Sequence, residues 1–347
     1  MRYLTAGESH GKAMLAILEG MPAGLKVDVD IINEELRRRQ SGFGRGKRMQ
    51  IEKDRVEVIS GLKGKVTLGS PLTLLTWNND FSIEKLHKVA CPRGGHADLA
   101  GFLKYGFTDI REVLERASAR STVATVAIGA LCKLFLDVFG IKIYSRVITV
   151  GGEVSREGMT AKISAAMEKK DTLGGIFEVI AKGVPVGLGS YVQPDRRIDA
   201  RLAAAFISIP GIKSVEFGLG IGYASRFGSE AHDAIYHSRS KGYFRKTNNA
   251  GGIEGGITNG EYLVLRACMK PISTLMSPLD SVNVSTKRSA KAATERSDIC
   301  VVESAGVVAE SACAYVLADA MLEKFGGDNL EDIKAGYKHY LNRIKKS

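Results

Sequence analysis

Cysteine is scarce and unpatterned in this chain of 347 residues: Cys91, Cys132, Cys268, Cys300 and Cys313 are an odd number with no CxxC pair. That argues against a disulfide framework or a cysteine-rich zinc site, and it fits a reducing, cytoplasmic compartment. Long apolar runs are missing too. The most apolar stretch, Val123 to Leu136, falls short of the roughly 18 residues of a membrane span and contains Thr125 and Lys133, so it reads as a buried helix and no membrane partner is expected. The opening Met1-Arg2-Tyr3-Leu4-Thr5-Ala6-Gly7-Glu8 lacks a charged start followed by an apolar stretch, so no secretory signal is expected. With no Pro/Ser-rich linker, low-complexity tract or fixed-period repeat, residues 1–347 are expected to form one domain. The familiar nucleotide signatures also fail. Gly42 to Arg48 is glycine-rich and basic without GxxxxGK[ST] spacing, and Gly218 to Gly222 reads GxGxG rather than GxGxxG.

What is present begins with an average soluble composition, 44% hydrophobic and 25% charged. Lys and Arg outnumber Asp and Glu by 49 to 38, a net charge of +11 that favours anionic partners: nucleic acid, acidic lipid or a small phosphorylated substrate. An idle basic surface is the plain alternative. Periodicity predicts helices over Val29 to Arg39, Thr108 to Phe139 and Gly306 to Lys324, stopped by Gly140 and Gly326-Gly327. The later two are apolar on most faces and belong in a central layer. Strands predicted over Val56 to Ile59, Ile141 to Val150, Gly175 to Val184 and Tyr262 to Met269 would cover it, giving an α+β fold. A last helix, capped by Asp328, places Leu330, Ile333, Tyr337, Leu341 and Ile344 on one face. Glycine runs at Gly183 to Gly189 and Gly218 to Gly222 predict tight turns or close backbone approach.

Charge is densest from Arg37 to Arg48, where six cations alternate with glycines over twelve residues. Such a segment can wrap an anion, each charge-assisted bond contributing roughly 1.5–3 kcal/mol; a solvated helix end with a loop is the alternative. Aromatic interleaving for base stacking is limited to Phe43, so nucleic acid is not expected. His10 in Gly7-Glu8-Ser9-His10-Gly11 and His96 in Arg93-Gly94-Gly95-His96-Ala97-Asp98 stand in turn-like, basic settings suited to proton transfer, or simply to structural turns. They lack the spaced companions a zinc site needs. His87, His232, His237 and His339 have no comparable context. Leu114 to Ser121, and Lys287-Arg288-Ser289 to Asp298, place hydroxyls and guanidiniums before apolar helices, as anion sites or as ordinary caps.

These segments combine. Gly7 to Gly11, Arg37 to Met49, His96-Ala97-Asp98 with Lys104-Tyr105-Gly106, and Leu114-Glu115-Arg116-Ala117-Ser118-Ala119-Arg120 resemble the chorismate synthase family in order and interval. Asp199-Ala200-Arg201-Leu202, Val215 to Gly220, Thr247 to Gly252, Met269-Lys270-Pro271 and Glu295-Arg296-Ser297-Asp298 continue the resemblance across nearly the whole chain. It implies a beta-alpha-beta sandwich, a central helical layer between antiparallel sheets, assembled as a homotetramer. It also implies a lyase that removes phosphate and the C6 proton from 5-enolpyruvylshikimate 3-phosphate to give chorismate, using reduced FMN without net redox change.

Roles follow by position. The resemblance makes His10 the proton donor to the departing phosphate, His96 the partner of the reduced flavin, and Asp298 a helper in removing the C6 proton. It assigns flavin contacts to Arg116, Ala117, Ser118, Gly255, Lys270, Pro271, Ile272, Ser273, Thr274 and Arg296, and main-chain contacts to Pro210 and Gly211, where many relatives have Asn-Ala. Arg39 and Arg45 would hold substrate anions, with Ser9, Arg48 and Arg93 beside them; a reduced nicotinamide is sometimes assigned to the first two, and the substrate role is preferred. NADPH is expected only as an external reductant, acting through a separate flavin reductase. Two departures concern the lid: Arg93-Gly94-Gly95-His96 replaces Arg-Pro-Gly-His, and Asn78 to Cys91 is shorter than in many relatives. The competing readings are a basic nucleic-acid-binding protein and a flavin-binding scaffold without catalysis.

Overall fold

The computed structural model describes residues 1–46, 53–240, 242–295 and 297–345. Two four-stranded antiparallel sheets enclose a layer of helices. The first sheet joins β1 (Arg2–Ala6), β2 (Ala13–Glu19), β3 (Glu57–Ser60) and β4 (Leu72–Trp77) in the order β1-β2-β4-β3; the second joins β5 (Lys142–Val150), β6 (Gly175–Lys182), β7 (Ile212–Phe217) and β8 (Leu263–Met269) in the order β5-β6-β8-β7. The helices used below are α1 (Val29–Gln40), α2 (Asp98–Tyr105), α3 (Arg111–Ala117), α4 (Thr122–Asp137), α5 (Ile198–Ile207), α6 (Val302–Phe325) and α7 (Leu330–Ile344).

Alternation builds the inner sheet faces. On β4, Leu72, Leu74 and Thr76 are buried and their neighbours more open; β8 alternates likewise, with Leu263, Leu265, Ala267 and Met269 inward. Between the sheets, α4 and α6 pack side by side, α4 against β2 and β4 and α6 against β5 and β6. Both are long and apolar enough to cross a membrane, α4 together with α3, yet 72% and 89% of their most apolar windows are buried inside the protein. All-round apolarity here records burial on every side.

The layer is also tied by charge. Fully buried Glu310 of α6 accepts from Arg38 of α1 through both Nη atoms at 2.8 Å, from Lys133 of α4 at 2.5 Å, and from Ser145 of β5 through N–H at 2.8 Å and Oγ at 2.6 Å. With two cations and two neutral donors the carboxylate is compensated, and removing both Arg38 and Lys133 would leave its charge unpaired in the core.

The predicted strands and the central layer are observed. One helix expected over Thr108 to Phe139 is instead two, because Ser118 leaves helical geometry at ψ 142° and its Oγ accepts from Arg120 N–H, capping a 3₁₀ turn at Ala119–Ser121. The last helix is capped by Asn329 rather than Asp328. At the glycine runs, close approach is the rule: a Cβ on Gly218 (φ +56°) would lie 1.8 Å from Asn249 O.

Candidate active site

The broken helix is what opens the site. At the junction of α3 and α4, the β1–β2 turn, the end of α1, the 93–98 turn, the loop after β8 and the segment before α6 meet around a cleft of about 650 Å³. It is lined by Ser9, His10, Arg39, Arg45, Arg93, His96 and Asp298, by Ala117 and Ser118, and by Pro210, Gly211, Lys270, Pro271, Ile272, Ser273 and Thr274. Sixteen predicted site residues from seven stretches of sequence thus share one cavity. Two do not line it. Arg116 turns away, donating to Gly7 O and Thr5 O at 3.0 Å and Thr5 Oγ1 at 2.9 Å, and Gly255 (φ +57°) sits in the turn between strands Ile253–Glu254 and Ile257–Thr258. Arg48 and Arg296 lie outside the described residues.

Each imidazole is backed by a carboxylate. Glu115 on α3, buried, accepts the His10 backbone N–H at 2.7 Å and faces His10 Nδ1 at 2.9 and 3.1 Å. Burial pushes the Glu115 carboxyl up, but the His10 bonds and the nearby Arg111 outweigh it, so it lies below the ordinary range. Across the cleft, His96 Nδ1 is 2.5 Å from Asp98 Oδ1, and Arg93 grips the same carboxylate through Nε (2.8 Å), Nη2 (3.0 Å) and its backbone N–H (3.0 Å). Burial raises the Asp98 carboxyl, yet these bonds hold it well below the usual range. A carboxylate has no proton to offer, so Nδ1 carries the hydrogen; on His96, Arg93 Nη2 lies 3.4 Å from Nε2.

The arginines form a second tier. Buried Asp54 takes Arg39 Nη2 at 2.6 Å on one oxygen and Arg120 Nη1 at 2.7 Å on the other. Arg120 also gives Nε and Nη2 to Asn78 Oδ1 at 2.9 and 2.7 Å, and Asn78 Nδ2 donates to Gly11 O at 2.8 Å, holding the His10 turn. Arg45 Nη1 pairs with Asp298 Oδ2 at 3.2 Å, while Gly46 N–H donates to Oδ1 at 2.5 Å. Burial lowers both Arg39 and Arg45 from the ordinary guanidinium range, and among the described residues the Nε of each is buried without an acceptor. Lys270 closes the far wall, donating to Gly95 O at 2.9 Å and Ser273 Oγ at 2.5 Å; burial, then Lys213 and Arg93, lower its pKa.

Sequence reasoning passed over Asp54 and the contacts of Asn78, and it placed Glu115, Arg120 and Glu295 within motifs without giving them individual roles. Only Asp98 carried a local signal, two residues beyond His96.

The sequence profile of the family described as chorismate synthase matches residues 1–322. Relatives named chorismate synthase include that of Thermoanaerobacter pseudethanolicus, 52% identical over 99% of each chain, and that of Aquifex aeolicus, 49% identical over 99% of this chain and 98% of the relative. A solved structure described as a crystal structure of chorismate synthase superposes with a TM-score of 0.83 at 43% identity, covering 100% of this chain and 98% of the other. The chain belongs to the chorismate synthase family of lyases.

Proposed function

We propose that this chain converts 5-enolpyruvylshikimate 3-phosphate to chorismate by trans 1,4-elimination of phosphate and the C6 proton, with reduced FMN bound and no net redox change. The observation that carries the reading is the convergence, in a chain of this family, of Arg39, Arg45, Arg93, Arg120 and Lys270 with two carboxylate-backed histidines on one cleft. A substrate bearing a phosphate and two carboxylates matches such a lining.

The residues fit a flavin. Ala117, Ser118, Pro210, Gly211 and Pro271 to Thr274 line the cleft with mostly small, uncharged side chains, and two buried arginine Nε atoms lack acceptors among the described residues. Those residues would hold FMN, with Arg116, Gly255 and Arg296 assigned by family position; when bound it supplies transient electron density to the substrate ring. Around it, Arg39, Arg45, Arg93 and Ser9 bind the substrate anions, with Arg48 by family position. His10 gives a proton to the departing phosphate, His96 would stand beside the flavin and tune its protonation, and Asp298, fixed by Arg45 and Gly46, assists removal of the C6 proton. We assign the working form to a cytoplasmic homotetramer supplied with reduced flavin by an external reductase, NADPH serving only that reductase.

Anaerobic turnover tests the reading: chemically reduced FMN and the substrate should release phosphate in step with the rise of the product's diene absorbance. His10→Ala should lower kcat by about 10²–10⁴ with flavin binding retained. Flavin binding without either signal would point instead to a non-catalytic scaffold.

A further inference from the structure

Resting on the lyase reading above, we propose that Glu115 is a positioning residue for the reaction: it fixes the protonation pattern of His10 so that the imidazole delivers its proton from Nε2. The contact geometry carries the inference. The backbone N–H and the ring Nδ1 of one residue, His10, converge on one carboxyl group, the N–H at 2.7 Å from Oε2 and Nδ1 at 2.9 Å from Oε1 and 3.1 Å from Oε2. An ionised carboxyl accepts on both oxygens and has no proton to give, so an Nδ1 bonded to it must carry the hydrogen. Glu115 is 3% exposed, so its carboxylate is held away from water while the His10 ring opens on the cleft.

The carboxylate itself is held. It sits on α3, whose Arg111 places Nη1 3.9 Å from Glu115 Oε1 and gives Nη2 to Glu295 at 2.8 Å on the cleft wall. Ser9 N–H donates to Glu115 O at 2.9 Å, so the His10 turn is docked on this residue through both main chain and side chain. With Nδ1–H committed to Glu115, the imidazole can accept a second proton on Nε2 and remain satisfied as a cation. A neutral amide at this position cannot offer that. With its oxygen at the Oε2 position the amide keeps only the longer, 3.1 Å contact to Nδ1, and its NH₂ at the Oε1 position either faces Nδ1–H as donor against donor or favours the other tautomer, with Nδ1 as acceptor.

The test is Glu115→Gln in the FMN-bound enzyme. Because the phosphate-leaving step would lose its acid while the arginines stay in place, kcat should fall about 10²–10³-fold with KM for the substrate within about threefold of wild type. Glu115→Asp, keeping the charge, should recover activity relative to Gln. An activity-independent readout accompanies these: ¹⁵N-histidine-labelled protein, with the His10 signal identified by its loss in His10→Ala. Nδ1 should carry the proton in wild type and lose it in Glu115→Gln. Unchanged kcat in Glu115→Gln, or Nδ1 unprotonated in wild type, overturns the proposal. Should wild type lack turnover altogether, the lyase reading fails while the tautomer still decides the role of Glu115.

Discussion

At Asp98 burial and hydrogen bonding pull in opposite directions, and hydrogen bonding wins: His96 and three donors of Arg93 keep the carboxyl ionised at low exposure. Glu115 and Glu310 repeat the pattern. Each group's folded pKa lies below its unfolded value of about 4, so the stability it contributes is complete above that pH and disappears as acid takes the pH through the folded values. Urea unfolding midpoints should therefore be flat from about pH 7 to 5 and fall below about pH 4. Asp98→Asn should lower the neutral-pH midpoint and flatten part of the acid fall; a midpoint that rises on acidification would contradict the sign. These three acids also mark what can be read from residues alone. Asp98 lies within the His96 motif, whereas Glu115 is 105 residues from His10 and Glu310 is 272 from Arg38. No local pattern encodes a partner that only the fold brings near.

Among elements, α4 and α6 were legible because a helix buried on every side must be apolar on every side. Strands β1, β2, β4 and β7 were not. The β2 sequence Ala-Met-Leu-Ala-Ile-Leu-Glu is rich in good helix formers, and its place between β1 and β4 overrides that preference. The break at Ser118, on which the cleft depends, is a capping event too local for periodicity to register. What α4 and α6 could not reveal in sequence is how closely they approach. A Cβ on Gly129 would lie 2.1 Å from Ser311 Cβ and 2.4 Å from its Cα. Gly129→Ala should therefore exceed its small gain in helix propensity with an overpacking loss of at least about 1–3 kcal/mol, read as a lower urea midpoint. Trimming Ser311 to Gly should not restore it fully, since the clash includes main chain. Full stability in Gly129→Ala would mean that the two helices sit farther apart than described.

For the molecule as a whole, the surplus charge and the cleft play different parts. Within the cleft the guanidiniums are largely matched: Arg39 and Arg120 share Asp54, Arg45 faces Asp298, and Arg93 faces Asp98. Such pairing gives directed N–H donors at contact range but little field at a distance. Attraction from afar must come from the net charge of +11, acting on a substrate proposed to carry several negative charges. Salt shortens the reach of that field, to about 10 Å at 0.1 M and 3 Å at 1 M, while leaving buried contacts nearly unscreened. The two effects separate kinetically. As potassium chloride rises from about 0.02 M to 0.5 M, kcat/KM should fall by a few-fold to about tenfold, the lower end of electrostatic steering, while kcat stays constant. A parallel fall in kcat would place the salt-sensitive charges at the chemical step, and a flat kcat/KM would show that the basic surface takes no part in capture.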